Sequence, residues 1–211
     1  NCNIGSDVSI GAESRLLGNN TLCAGVIMGE RCIVHPGAVI GSEGFGLAND
    51  DGTWVRIAQL GTVRIGNDVD VGANTTIDRG AIGDTIIADG VKMDNLVQIA
   101  HNVEVGAHSA IAGCAGIAGS AKVGANCMLG GGAGVQGHLD IADGVVISGM
   151  TKVTRSISSG GAYTGGVPAL PHKEWQKNVA RFKRLDELAK KVKSLQDQLN
   201  AVNAKFTNNE E

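Results

Sequence analysis

Of the five histidines in the 211 residues, His101 and His138 stand where chemistry is easiest to build. His101 interrupts an otherwise aliphatic stretch, Asp94-Asn-Leu-Val-Gln-Ile-Ala-His-Asn-Val-Glu-Val-Gly106, and has polar Asn95, Gln98 and Asn102 beside it. A neutral imidazole, with an ordinary pKa of ~6.5, suits proton abstraction near neutrality and contributes roughly 10²- to 10⁴-fold in rate as a general base. Asp94 is the nearest preceding acid and is expected to fix the imidazole tautomer. Eighteen residues on from His101 stands Gly119, whose backbone N–H would be approachable for a developing oxyanion. After another eighteen comes Gly137, followed by His138. No serine or cysteine sits in a nucleophile motif, so direct attack by an acceptor is expected rather than a covalent enzyme intermediate. His35, His108 and His172 read as ordinary surface residues.

What positions these groups is a repeat. Steps of six from Ile4 meet Ile10, Leu16, Leu22, Met28, Val34 and Ile40. The ladder resumes at Ile65, Val71 and Ile77, slips by four, and runs unbroken from Ile87 to Val153. The fourth residue after each anchor is mostly small or β-branched (Val26, Cys32, Val97, Val103, Ala121, Cys127). Short strands with a turn every six residues and an interior of stacked positions describe a parallel β-helix with three hexads per coil. About seven coils at ~4.8 Å spacing give a prism on the order of 34 Å tall. His101, Gly119 and Gly137 then share one vertical column. His138 rises roughly 9 to 10 Å from His101, too far for one zinc with bonds of ~2.0 to 2.1 Å, so a metal would have to lie between subunits.

Two interruptions must project from a corner. Residues 42–62 carry Phe45, expected to line a substrate pocket, Trp54, expected to anchor the loop, and a hairpin turn at Asn49-Asp-Asp-Gly52. The second is the slip at Arg79-Gly-Ala-Ile-Gly-Asp84. The β-helix is expected over 1–154, an extended linker over 155–172 and a helical segment over 173–211. In that segment Leu185, Leu188, Val192, Leu195, Leu199, Val202 and Phe206 alternate in steps of three and four, a coiled-coil stripe that predicts self-association, and a triangular prism favours three copies.

Composition bounds the rest. With 32 glycines against three Phe, two Trp and one Tyr, a stacked interior of small residues is expected instead of an aromatic core. A net charge of −3 argues against bulk nucleic-acid binding. The five cysteines form no CxxC pair and read as reduced thiols of a cytoplasmic protein. No apolar run approaches the ~18 residues of a membrane span. The chain opens on Asn1, already inside the repeat, as a fragment would.

Several motifs together carry a family resemblance: Gly41-Ser-Glu-Gly-Phe-Gly46, Thr75-Thr-Ile-Asp-Arg-Gly80, Asp94 to Asn102, Gly137-His138 and Gly166-Val-Pro-Ala-Leu-Pro171. The chain resembles the hexapeptide-repeat acyltransferases that N-acylate UDP-3-O-acylglucosamine in lipid A (lipopolysaccharide) biosynthesis, without their amino-terminal uridine-recognising domain. The resemblance implies a left-handed prism and a homotrimer with active sites between neighbouring prisms. It also implies transfer of a 3-hydroxyacyl group from acyl carrier protein, whose phosphopantetheine arm is the only cofactor, to a 2-amino group. His101 matches the family's base, Asp94 its supporting acid and Gly119 the oxyanion donor. Asn95, Gln98, Asn102 and His138 match positions lining the cleft. Lys173, Lys177, Arg181 and Arg184 form a basic cluster that could dock the acidic carrier protein. Three rival readings stay open: an O-acyltransferase acting on the 3-hydroxyl of UDP-N-acetylglucosamine, a trimeric metal hydratase, and a non-catalytic scaffold.

Overall fold

The computed structural model describes residues 1–207, with side chains to residue 203. Phe206 and the last four residues of the expected helical segment lie outside the described side chains and backbone, respectively. The chain divides into two units, 1–166 and 167–211.

In the first unit every third strand stacks on its predecessor in parallel, which makes three flat faces. The first face runs from Asn3–Ile4 to Lys152–Val153 in eight strands, the second from Ser9–Ile10 to Asp140–Ile141 in seven, and the third from Arg15–Leu16 to Gly161–Tyr163 in eight. All anchors from Leu22 to Val153 are buried, as are Val26, Cys32, Val97, Val103, Ala121 and Cys127 of the second column. Only at the open end of the prism do anchors lose cover, with Ile4 44% and Ile10 40% exposed.

Each corner needs one residue in the left-handed region. From Gly90 to Met150 that residue recurs every six positions, and eight of the eleven are not glycine, Leu96, Asn102, Ser120 and His138 among them. Such a conformation costs roughly 1–2 kcal/mol per residue. The coil beneath offsets it through hydrogen bonds, such as Ser120 N–H to His101 O at 2.9 Å and His138 N–H to Gly119 O at 3.1 Å.

The prism continues further than the ladder of anchors. Residues expected in the linker form another rung: Val145↔Gly161, Val146↔Ala162 and Ile147↔Tyr163 pair in parallel, and Ile157 bridges Ile141. The six-residue aliphatic signal fades here because Gly, Ser and Thr supply this rung through backbone bonds, as where Ser148 N–H meets Tyr163 O at 2.9 Å.

The second unit is two helices rather than one: α1 (His172–Phe182) and α2 (Leu185–Thr207). The break is a tightened turn in which Arg184 N–H bonds to Arg181 O at 2.9 Å, so the heptad stripe starts afresh at Leu185. Leu185, Leu188, Val192, Leu195, Leu199 and Val202 are all about half exposed. Lys173, Lys177 and Arg181 follow one another at intervals of four on α1, and Arg184 lies in the junction. Among the described residues no helix is long and apolar enough to cross a membrane, and no group of three His, Cys, Asp or Glu could hold a metal ion. The five cysteines are free thiols.

Candidate active site

Both interruptions leave the prism at the same corner, the one between the first and second faces. The 42–62 loop departs after the strand Val39–Ser42 and returns at Val63–Ile65. One coil on, the 79–84 excursion departs after Thr76–Asp78 and returns at Thr85–Ile87. The next coil places His101 at this corner, and Gly119 and then Gly137 and His138 follow.

Asp84 ties both returns together. Its Oδ1 accepts the Thr62 N–H at 2.8 Å, and its Oδ2 takes the Arg64 Nε–H at 2.5 Å. The Thr62 amide first and the Arg64 guanidinium second hold this carboxyl below the usual carboxylate range. A carboxyl with its pKa lowered in the folded state stabilises the fold above its unfolded value of ~3.9, and that contribution is lost as pH falls through the folded value. Thermal melts between pH 7 and 2 should therefore show a falling Tm in the acid range that is shallower in Asp84→Asn, whose neutral amide has no such titration to lose.

The loop is a hairpin of Leu47–Asp50 against Thr53–Arg56. Asp51 and Gly52, both at positive φ (45° and 86°), make the tight turn that the sequence predicts. Trp54 is not its anchor, being 65% exposed. The loop is held by the Arg56–Glu43 ion pair at 2.7 Å and by Ile57 N–H bonding to Gly46 O at 2.9 Å. Phe45 is 86% exposed. Its neighbour Gly44 packs so closely that an added Cβ would lie 3.3 Å from His101 Cβ and 3.5 Å from Asp78 Oδ2.

The imidazole of His101 is oriented by Asn102. Asn102 Oδ1 accepts the Ala81 N–H at 2.9 Å, while its Nδ2 donates to Gly83 O at 2.9 Å. A backbone N–H can only donate and a carbonyl only accept, so these partners fix which end of the amide is oxygen. That oxygen also lies 3.1 Å from His101 Nδ1, which must therefore carry the proton. The lone pair is left on Nε2. This atom faces Gly119, where an added Cβ would stand only 2.5 Å from Nε2 and 2.6 Å from Cε1.

The Gly119 N–H is available as well. At comparable turn positions a side chain from an adjacent coil caps the amide: Asn95 Oδ1 caps Ala73 at 2.7 Å, Asp94 Oδ2 caps Gly113 at 3.0 Å and Asp143 Oδ1 caps Ala125 at 2.7 Å. Among the described residues nothing accepts from Gly119 N–H, because the column continues with Gly137 and His138 in place of Asp or Asn. An imidazole lone pair and an uncapped backbone donor thus stand at neighbouring positions of one corner, groups that acyl transfer can use.

Asn102→Ala should test the orientation. Losing a hydrogen bond to an imidazole that becomes charged, worth ~1.5–3 kcal/mol, should slow turnover by about 10- to 10²-fold. Acceptor KM should stay near that of the parent, as steady-state kinetics would show.

Asp94 is not the acid beside this base within one chain. It sits at the corner between the third and first faces, at the opposite end of the strand Gln98–Ile99, and its Oδ2 is engaged by Gly113 N–H. The reading by proximity in sequence fails because seven residues are just over one hexad, which carries the chain to the next corner. Asp94 and Asn95 instead line a trough of about 730 Å³ on the third face, with Lys92, Met128 and Val146. Gln98 does belong to the His101 side, where its Nε2 donates to Asp78 Oδ2 at 2.8 Å and its Oε1 accepts from Thr76 Oγ1. His138 is exposed two coils beyond His101, in register with Asn102.

The acid that the structure does bring to His101 is Asp78. Its carboxyl is pushed up by burial, an effect opposed by the Gln98 hydrogen bond and the nearby His101. Sequence reading gave this residue no role, although a signal existed: Asp78 ends the strand that pairs Ile77 with Ile99, at the lip of the four-residue slip.

No family model matches the chain. A UDP-3-O-acylglucosamine N-acyltransferase of Hahella chejuensis is 54% identical over 87% of the chain and 53% of its own length. Its counterpart in Pseudomonas aeruginosa is 57% identical over 86% and 52%, and that of Bordetella pertussis 53% over 83% and 50%. The chain thus spans about half the length of the curated relatives it matches. Among solved structures, a UDP-N-acetylglucosamine acyltransferase of Francisella novicida superposes with a TM-score of 0.72 at 21% identity, covering 90% of this chain and 70% of that one. The UDP-N-acetylglucosamine O-acyltransferase of Moraxella catarrhalis gives 0.57 at 24%, covering 88% and 80%. These likenesses establish the fold as the left-handed parallel β-helix. By sequence the chain is similar to the UDP-3-O-acylglucosamine N-acyltransferases over about half of their length, and by fold it is a left-handed parallel β-helix of hexapeptide repeats.

Proposed function

We propose that the protein transfers a 3-hydroxyacyl chain from acyl carrier protein to the 2-amino group of a UDP-3-O-acylglucosamine, with His101 as general base. The observation that carries this reading is the His101 Nε2 lone pair, set by Asn102 and lying beside Gly119, whose N–H is uncapped. The acceptor amine attacks the thioester carbon and a C–N bond forms. The carbonyl oxygen becomes an oxyanion facing Gly119 N–H. His101 Nε2 takes the proton from the attacking nitrogen. The C–S bond then breaks, the imidazolium returns that proton to the departing thiolate, and the products are an amide and the free thiol of the phosphopantetheine arm.

A homotrimer completes the reading. His101 and the pair Asp94 and Asn95 lie at different corners, so only a neighbouring prism can bring the trough on the third face against a His101 corner. In that assembly Asp94, Asn95, Phe45 and His138 contact substrate. The half-exposed stripe of α2 supplies a second self-association surface. The basic face Lys173, Lys177 and Arg181, with Arg184, receives the acidic carrier protein through complementary charge. Free thiols on the surface, Cys2 and Cys114, suit a reducing cytoplasm.

The test is direct: the protein in its full natural length, a 3-hydroxyacyl carrier protein and UDP-3-O-acylglucosamine, with product mass measured. An acylated amine is the expected product. Unchanged sugar, or an ester in place of the amide, would overturn the proposal.

A further inference from the structure

Of the four partly buried carboxylates of the prism, three are in ion pairs: Asp84 with Arg64, Asp70 with Lys92 and Glu104 with Lys122. Asp78 differs. It is half-buried, and among the described residues it makes no ion pair. Arg79, next in sequence, turns its guanidinium away onto the carbonyls of Gly61 and Ala24, at 2.7 and 3.0 Å. Gln98 donates to Asp78 Oδ2 at 2.8 Å. The same oxygen faces the narrow space at Gly44 shared with the His101 ring, since an added Gly44 Cβ would stand 3.4 Å from His101 Cδ2 and 3.5 Å from Asp78 Oδ2.

A carboxyl half-buried without a cation carries a desolvation cost in the free protein, which a partner arriving with the substrate offsets. Burial raises this carboxyl's pKa, and an incoming cation would relieve that penalty. The neighbouring imidazole is not that cation. Its Nδ1 proton is committed to Asn102, and its Nε2 must be unprotonated to act.

From this geometry we infer that Asp78 is a specificity-determining residue that receives the acceptor's 2-ammonium group and so selects an amine over a hydroxyl. The inference rests on the acyltransferase reading and deepens it. An amine with electron-withdrawing neighbours titrates like an α-amino group, at about 7.7–8.0, so a large share of the acceptor arrives beside His101 as a cation. The Asp78 carboxylate holds it by a charge-assisted hydrogen bond, with Gln98 fixing the carboxylate's rotamer. The ammonium then releases one proton to water, and the remaining amine gives its second proton to His101 Nε2 on attack. A neutral hydroxyl in the same position gains no ionic contact.

The experiment measures binding by calorimetry at neutral pH, so it does not depend on turnover. The probes are UDP-3-O-acylglucosamine and the same molecule with a 2-hydroxyl in place of the 2-amine, and the protein is of full natural length. The parent protein is expected to bind the amine about 10- to 100-fold more tightly than the hydroxyl compound, the range of a hydrogen bond to a charged group. In Asp78→Asn, which can still accept from Gln98, that preference should collapse to about threefold or less. Asp78→Ser gives the same reading should the amide variant fold poorly. A preference that survives both substitutions overturns the inference, and so does weakening that is equal for both sugars, because a carboxylate that only steadies the imidazole would not distinguish them. If the parent protein binds neither sugar, the acyltransferase reading falls and this inference falls with it.

Discussion

His101→Ala is expected to lower kcat for acyl transfer by about 10²- to 10⁴-fold, the usual contribution of a positioned general base, while acceptor binding changes little. The expectation rests on Nε2 being the ring nitrogen left with a free lone pair, a state imposed by Asn102 through its bonds to Ala81 and Gly83. The side chain is half-buried at a corner rather than in the core, so its removal should leave the thermal midpoint and the oligomeric state as in the parent. Steady-state kinetics beside a melting curve and light scattering would check all three. Full activity in a properly folded His101→Ala protein would remove the base from the mechanism.

Gly119→Ala should be nearly as damaging, for a different reason. The new methyl would stand 2.5 Å from His101 Nε2, closer than any real contact, and so the imidazole must swing away. Moving a reacting atom by about 1 Å costs on the order of 10²-fold. No backbone strain accompanies the change, since Gly119 is not among the residues at positive φ. The ring can rotate outward, so stability should fall by less than the ~1–3 kcal/mol of an overpacked core. The matching change at Gly116, on the preceding strand, meets nothing within 4 Å and should leave melting unchanged. A Gly119→Ala enzyme with parental kcat would show that the ring position does not matter.

These outcomes separate what can be read along the chain from what cannot. The anchors from Leu22 to Val153, the inward column and the vertical alignment of His101 with Gly119 and Gly137 follow from a strict period of six. Each coil repeats the same inward and outward positions, so linear spacing translates directly into height and face. The tight hairpin was legible at Asp51-Gly52, because positive φ in succession has few residue solutions.

Where period and backbone part company, reading by pattern fails. Residues 155–166 carry no aliphatic ladder, yet they form a rung through backbone hydrogen bonds to which any residue can contribute. The junction between α1 and α2 contains neither Pro nor Gly, so nothing in residue type marks it.

The choice of acid shows the division most clearly. By itself the sequence determined the prism and the alignment of His101 with its glycine column, because hydrophobic burial every six residues leaves the corners only one arrangement. Tertiary structure alone decided which polar groups meet there. Asp94 is seven residues from His101 but one corner away, whereas Asp78, Asn102 and Gly44 converge on it from three coils. The physical reason is that a side-chain hydrogen bond depends on distances of about 3 Å across stacked coils, and those are set by where the loop and the four-residue excursion return to the corner.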